Sequence, residues 1–451
     1  MRVTVVDRRA ISIVFVVCLV CQLTIVSSSR RCWGRQADNG WIGKRVVPKI
    51  PNFRLAVAGK YVESSDDHQV YKVQGVKDEW LELVSSDALG WCRASDVVDV
   101  EHALAFFSDA IRANPKDPNP YLLRANVYRD VQNNLDFALA DYNEAIRIAP
   151  DRPLAINGRG IVWMMKQDYH KAITDFGDAI RIAPADAHFY SNRGLAYRDK
   201  GEIDNAIEDF NKAIHLDSKN VSIYLRRAFA KTSKHDYDGA IADYSEMIRL
   251  KPTNSAFSCR GKLKMLKKEY VKAIADFDSA IRQTPSWSPL HLKRATLEML
   301  LGGKQTMASA WKAFSLEGGQ SPNCVEAALI GHFGARRLGK KDEAQRFLVA
   351  AKAKCDKSRW PYPCVGYLLK EINEKELLAA ATDDIKMMKA RCCLGLDLEL
   401  KGRNADAIDH FLWVKEHGMS SHDQDYALMV PDDSYVIAIA ELDRINGEKK
   451  K

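Results

Sequence analysis

A thirteen-residue phrase recurs along this chain every 33 or 34 residues and fixes what the chain can fold into. The segment Ala138 to Pro150 (ALADYNEAIRIAP) returns from Ala172 to Pro184 (AITDFGDAIRIAP), and again from Ala206 to Ser218, Ala240 to Pro252 and Ala273 to Pro285. A period of this length makes each copy one supersecondary unit that buries its apolar face only against its neighbours. Such an architecture favours an extended interaction surface over an enclosed reaction site.

Inside each unit the residue types follow contact geometry. Gly or Ala stands near the eighth position (Ala125, Gly160, Gly194, Ala228, Gly261), and Ala at the twentieth (Ala138, Ala172, Ala206, Ala240, Ala273). An aromatic comes at the twenty-fourth (Tyr142, Phe176, Phe210, Tyr244, Phe277) and a compact residue at the twenty-seventh (Ala145, Ala179, Ala213, Met247, Ala280). Small residues let two antiparallel helices approach closely, and the aromatic fills the gap to the next pair. Pro150, Pro184, Pro252 and Pro285 stop the second helices. The pattern resembles the tetratricopeptide (TPR) repeat. The fold class expected is therefore mainly α, a TPR α-solenoid of helix-turn-helix repeats, with five regular units over 118–287 and two degenerate ones over 288–358.

The flanks differ in texture. Residues 1–30 carry Arg2, Arg8 and Arg9 ahead of a run from Ala10 to Val26 that is apolar or small apart from Gln22, followed by Ser27-Ser-Ser29. This reads as a signal peptide or signal-anchor, because the run sits at the lower limit for spanning a bilayer, where about 20 residues are usual. The expected location is exported: periplasmic, or held to the membrane by an uncleaved N-terminal segment. Residues 40–100 hold short runs rich in β-branched and aromatic residues, Val70 to Val73, Trp80 to Val84 and Gly90 to Ala94. The sequence of Tyr71-Lys-Val73, Trp80 and Gly90-Trp91 up to Val97-Val98 resembles bacterial SH3-like domains, which implies a small β-barrel ahead of the helices. From Glu101 the hydrophobic period changes from two to 3.6, so that 101–117 forms a capping half-repeat helix joined to the barrel without a linker. At the other end, 359–451 forms a TPR-like unit and a capping helix from Ser434 to Ile445. From Trp360-Pro-Tyr-Pro363 to Leu442 this part resembles NlpI-type TPR lipoproteins, apart from an insertion over Asp423 to Asp433.

Arg precedes the small residue in six units (Arg124, Arg159, Arg193, Arg227, Arg260, Arg294) and Asp precedes the aromatic in five (Asp141, Asp175, Asp209, Asp243, Asp276). The arginines alone would make an anion-binding ladder. Because the two rows run together, ion pairs inside each unit are the expected arrangement. The resemblance to TPR arrays implies a peptide-binding groove along the first helices: Asn119, Leu122, Asn126, Arg129, Leu154, Asn157, Ile161, Met164, His188, Ser191, Leu195, Arg198, Leu225 and Phe229. This mixture of apolar and polar side chains suits an extended segment or a partner helix. On the barrel, Trp41, Tyr71, Trp80 and Trp91 form either its core or an aromatic platform for a wall ligand.

Eight cysteines follow residue 30; in an oxidising compartment either Cys355 pairs locally with Cys364, or the cysteines stay unpaired as small apolar fillers. No zinc spacing, phosphate-binding glycine loop or nucleophile elbow is present, so no cofactor, no metal and no catalytic residue is expected. The formal charge of +8 is mild for 451 residues, and charges of both signs are interspersed, which argues against a nucleic-acid footprint. The sequence points to a non-catalytic scaffold of the bacterial cell envelope with a protein or peptide partner; the alternative is a peptidoglycan receptor that uses the barrel.

Overall fold

The computed structural model describes residues 40–51, 53–57, 60–63, 70–84, 89–418 and 433–448. The expected leader over 1–30, Cys32 and most of the expected insertion lie outside the described residues. The chain divides into two compact units, residues 1–200 and 201–451.

The first unit opens with seven strands: β1 (Arg45–Pro48), β2 (Arg54–Val57), β3 (Lys60–Glu63), β4 (Tyr71–Lys77), β5 (Trp80–Val84), β6 (Leu89–Arg93) and β7 (Val97–Asp99). They form one small sheet in the order β3-β2-β6-β5-β4-β1-β7, with every pairing antiparallel. Alternation sets the faces, since Tyr71 and Val73 on β4 and Leu81 and Leu83 on β5 are buried while Lys72 is exposed. Val46, Phe53, Leu55, Tyr71, Val73, Leu81, Leu83, Cys92 and Val97 meet in one cluster. Strands from both ends of the order therefore share an interior, and the sheet is curled. Among the described residues no pairing between β3 and β7 closes it.

Strand β7 runs directly into helix α1 (Val100–Ala113). Asp99 makes this junction: its carboxylate accepts the Glu101 amide at 3.0 Å and pairs with Lys44 at 2.8 Å. Val47 and Val98 of the sheet pack with Ala103 and Phe107 of α1, and with Leu123 and Val127 of the next helix. Helices α2 (Pro118–Asp130), α3 (Leu135–Ile148), α4 (Pro153–Met165), α5 (Tyr169–Ile182) and α6 (Ala187–Lys200) complete the unit.

The second unit is helical throughout its described residues. Its helices are α7 (Ile203–Leu216), α8 (Val221–Ser233), α9 (Tyr237–Leu250), α10 (Asn254–Leu266), α11 (Tyr270–Gln283), α12 (Ser288–Leu300), α13 (Thr306–Leu316), α14 (Pro322–Arg337) and α15 (Lys341–Lys354). Then come α16 (Tyr362–Leu368), α17 (Glu374–Ala380), α18 (Asp384–Leu400), α19 (Asn404–His417) and α20 (Asp433–Glu448).

Packing inside each unit follows the small and aromatic rows. Ala138, Ala172, Ala240 and Ala273 are fully buried, as are Tyr142, Phe176 and Phe277. A Cβ placed on Gly160 would lie 2.7 Å from the Phe176 ring, and one on Gly261 would lie 3.1 Å from Phe277. The same glycine-on-ring contact persists where the sequence signature has faded, between Gly331 and Phe347 and between Gly395 and Phe411. The turns between paired helices share a left-handed residue: Asn133 and Gln167 in the first unit, and His235, Lys268, Gly302, Gly339 and Gly402 in the second. What the repeat holds fixed there is a dihedral angle, and glycine supplies it in only some copies.

Candidate interaction face

The Arg and Asp rows meet as ion pairs. Arg124 grips Asp141 with two bonds of 2.8 Å, and Arg159 grips Asp175 at 2.9 and 2.7 Å. In the second unit Arg227 reaches Asp243 at 3.0 and 2.5 Å, and Arg260 reaches Asp276 at 2.9 and 2.6 Å. Each guanidinium also donates to a neutral side chain on the preceding helix, namely Ser108, Asn143, Asn211 and Ser245 respectively. The bond from Arg124 to Asp141, and that from Arg159 to Asp175, raises the pKa of its guanidinium. These arginines stitch helix to helix, and they are not an anion ladder. Arg294, which has no aspartate at the matching position, takes Asp278 and Glu298 instead. Asp243 answers both Arg227 and Lys231, with its own side chain 2% exposed. Asp243→Asn should therefore cost about 3 kcal/mol, as expected when a buried pair loses one partner. Urea titration checks this, and a loss below about 1 kcal/mol with helicity retained would contradict it.

On the first unit the first helices α2, α4 and α6 lie side by side. Of the anticipated groove residues here, Asn119, Asn126, Leu154, Ile161, Met164, His188, Leu195 and Arg198 are half-buried and reach the surface. The other four anticipated there are corrected, because they are buried. Leu122 packs with Ala125, Tyr142 and Ala155. Arg129 is 3% exposed, paired with Asp130 and bonded to the Tyr142 hydroxyl at 3.0 Å. Asn157 accepts from Asn192 at 3.0 Å, and Ser191 is 1% exposed. The accessible face is thus mostly apolar at its middle, through Leu154, Ile161, Met164 and Leu195. Arg198, held by Asp199 at 2.7 Å, brings no net charge to it.

On the second unit part of the corresponding face is already covered. Leu225 and Phe229 of α8 are half-buried. Farther along, helix α20 lies across the first helices. Val436 packs with Met265 of α10 and with Leu290 and Leu297 of α12, while Ile437, Ala438, Leu442 and Ile445 join the cluster of α14 and α18. Acidic residues fix it in place. Asp433 pairs with Lys293 and accepts from Thr296, Asp443 pairs with Lys268, and Glu441 pairs with Arg337 at 2.6 Å. Burial in this region pushes the Lys262 pKa down. The last helix, expected as a terminal cap, packs on α18 and α19 and also reaches back across the chain's own earlier first helices. No local pattern in the sequence signals this, because the partners lie up to 175 residues apart.

The barrel platform is corrected in part. Tyr71 is fully buried in the sheet core. Trp41, Trp80 and Trp91 are half-buried, with Lys44 over the Trp41 ring and Arg93 over that of Trp80. The expected Cys355–Cys364 pair is also corrected, since the sulfur nearest Cys355 is that of Cys324. A polar cleft of about 640 Å³ lies beside Tyr367, Asn373 and Asp397. The Asp397 carboxylate is engaged there by the Tyr367 hydroxyl and by Lys401. Among the described residues no cluster of three or more His, Cys, Asp and Glu is poised to hold a metal ion, and no helix is long and apolar enough to cross a membrane.

Residues 194–233 match the sequence model of the TPR repeat. The helical fold is that of a TPR repeat protein. Three solved chains are similar to this one in part. YrrB, described as a TPR protein with an unusual peptide-binding site, is 24% identical over 40% of this chain and 92% of its own, with a TM-score of 0.34. A TPR protein of Parabacteroides merdae is 16% identical over 60% and 97%, with a TM-score of 0.36. PilF of Pseudomonas aeruginosa is 17% identical over 49% and 96%, also at 0.36. No curated protein sequence matches this chain.

Proposed function

We propose that this TPR chain is a non-catalytic scaffold of the cell envelope that holds a polypeptide segment on the first-helix face of residues 118–200. One observation carries the reading: the equivalent face of residues 254–400 holds a helix, α20, through apolar contacts and carboxylate–cation pairs. A TPR face of this composition is therefore suited to an amphipathic helix. The first unit offers Leu154, Ile161, Met164 and Leu195 for the apolar side of such a segment. The envelope location rests on the basic and apolar leader over residues 1–30, and an anchor there would set the scaffold at a membrane surface.

Selecting displayed peptides against the full chain tests the proposal. Binding of the selected peptides is expected to fall at least about tenfold in Ile161→Glu and in Leu195→Glu, because a carboxylate would have to be desolvated against the apolar side of the segment. It should be unchanged in Lys212→Glu, on the exposed side of a second helix. Peptides indifferent to both changes on the face would overturn it.

A further inference from the structure

Two cysteines in the C-terminal part face each other across a helix pair that carries none of the Arg and Asp stitching seen earlier. Cys324 stands in the first turn of α14 and Cys355 is the C-cap of α15. Both are buried, and the Cys355 thiol donates to the Cys324 sulfur at 3.0 Å. A disulfide needs the sulfurs at about 2.05 Å, roughly one ångström closer. The Cys364 sulfur is in hydrogen-bond contact with Cys393 of α18. The electrostatics are asymmetric: the bond from Cys355, helped by the Lys354 cation, lowers the Cys324 pKa, whereas the same bond and burial raise that of Cys355. The Cys324 sulfur is thus the readier of the two to ionise.

We infer that Cys324 and Cys355 form a structural disulfide that ties α14 to α15. The oxidant is a disulfide of the glutathione or protein class. The Cys324 thiolate attacks one of its sulfurs and expels a thiolate, giving a mixed disulfide. Cys355 gives its proton to solvent and attacks the Cys324 sulfur, and a second thiolate leaves. Two electrons pass to the oxidant, which leaves as two thiolates, and two protons are released in all, one as Cys324 ionises and one from Cys355. Since both sulfurs are buried in the finished fold, the exchange takes place as the two helices dock. The inference rests on the export reading only for where the oxidant is met.

The test is peptide mapping of the full chain, refolded in oxidised and reduced glutathione and alkylated in denaturant. A linked Cys324–Cys355 peptide pair is expected, persisting in Cys364→Ser and absent in Cys324→Ser. Dithiothreitol should lower the melting midpoint by about 5–10 °C, and should leave the midpoint of the Cys324→Ser, Cys355→Ser double variant unmoved. Full alkylation of both cysteines in the refolded wild-type chain, or a Cys355–Cys364 link, overturns the inference. Mapping of the wild-type chain decides this even where a variant fails to fold. A link formed in glutathione but missing from chain recovered from cells counts against export and leaves the bond standing.

Discussion

Gly331→Val is expected to destabilise residues 201–451 by about 3 kcal/mol, the upper end for overpacking a filled core. A Cβ on Gly331 would sit 2.3 Å from the Phe347 ring, closer than any side-chain carbon tolerates. The ring has no room to retreat, because it is fully buried and stacked on Trp311 with centroids 4.2 Å apart. The remaining escape is to part α14 from α15, which would also break the sulfur contact between Cys324 and Cys355. Gly318→Ala is the control: nothing lies within 4 Å of its added carbon, and its backbone is outside the left-handed region. Denaturant titration followed by circular dichroism reads both. Equal midpoints for the two variants would refute the close-contact account of this helix pair.

Arg337→Met is expected to cost a similar amount, about 3 kcal/mol, by a different route. The guanidinium reaches Glu441 at 2.6 Å, Glu399 at 3.3 Å and the Met299 carbonyl at 3.3 Å, and so joins α14, α18, α20 and the end of α12. Glu441 is 1% exposed. With Arg337 gone, Arg444 alone answers the buried Glu441 and the half-buried Glu399, at 2.8 and 2.7 Å. Leaving a buried charge short of its partner is the costly half of such a change. In the double variant with Glu441→Gln the orphaned charge is removed too, and at least about 1 kcal/mol should return. Hydrogen exchange localises the effect: the amides of α20 should exchange faster while those of α8 keep their protection. Strict additivity of the two substitutions would show that Arg337 and Glu441 are not coupled.

The regular units were legible because their periodic residues act locally. Gly160 meets Phe176, and Arg159 meets Asp175, sixteen residues along the same helix pair. A spacing of that kind is visible in a sequence, and so was the two-residue alternation of the strands. The register of the 322–354 unit was harder to see, since Ile330 and Arg346 stand where the ion pair would be and only the bare glycine-to-aromatic spacing survives. Groove positions were half legible. The repeat tells which side chains point toward the first-helix face, but burial of Asn157 depends on Asn192 in the next copy. The docking of α20 was not legible at all. Its contacts are hydrophobic and electrostatic matches between distant segments, and nothing near residues 433–448 encodes where the helix lands.

That landing changes how the second unit should fold. A plain repeat array behaves nearly as a one-dimensional lattice, in which each copy couples to its neighbours and the ends are free to fray. Here Asp443 is tied to Lys268 and Asp433 to Lys293, so the last helix bridges copies formed far earlier in the chain. Nearest-neighbour coupling no longer describes the unit. Contacts at such separations slow folding and couple early copies to late ones in a single transition. The copies bridged by α20 therefore reach their full stability only once the final helix has been made.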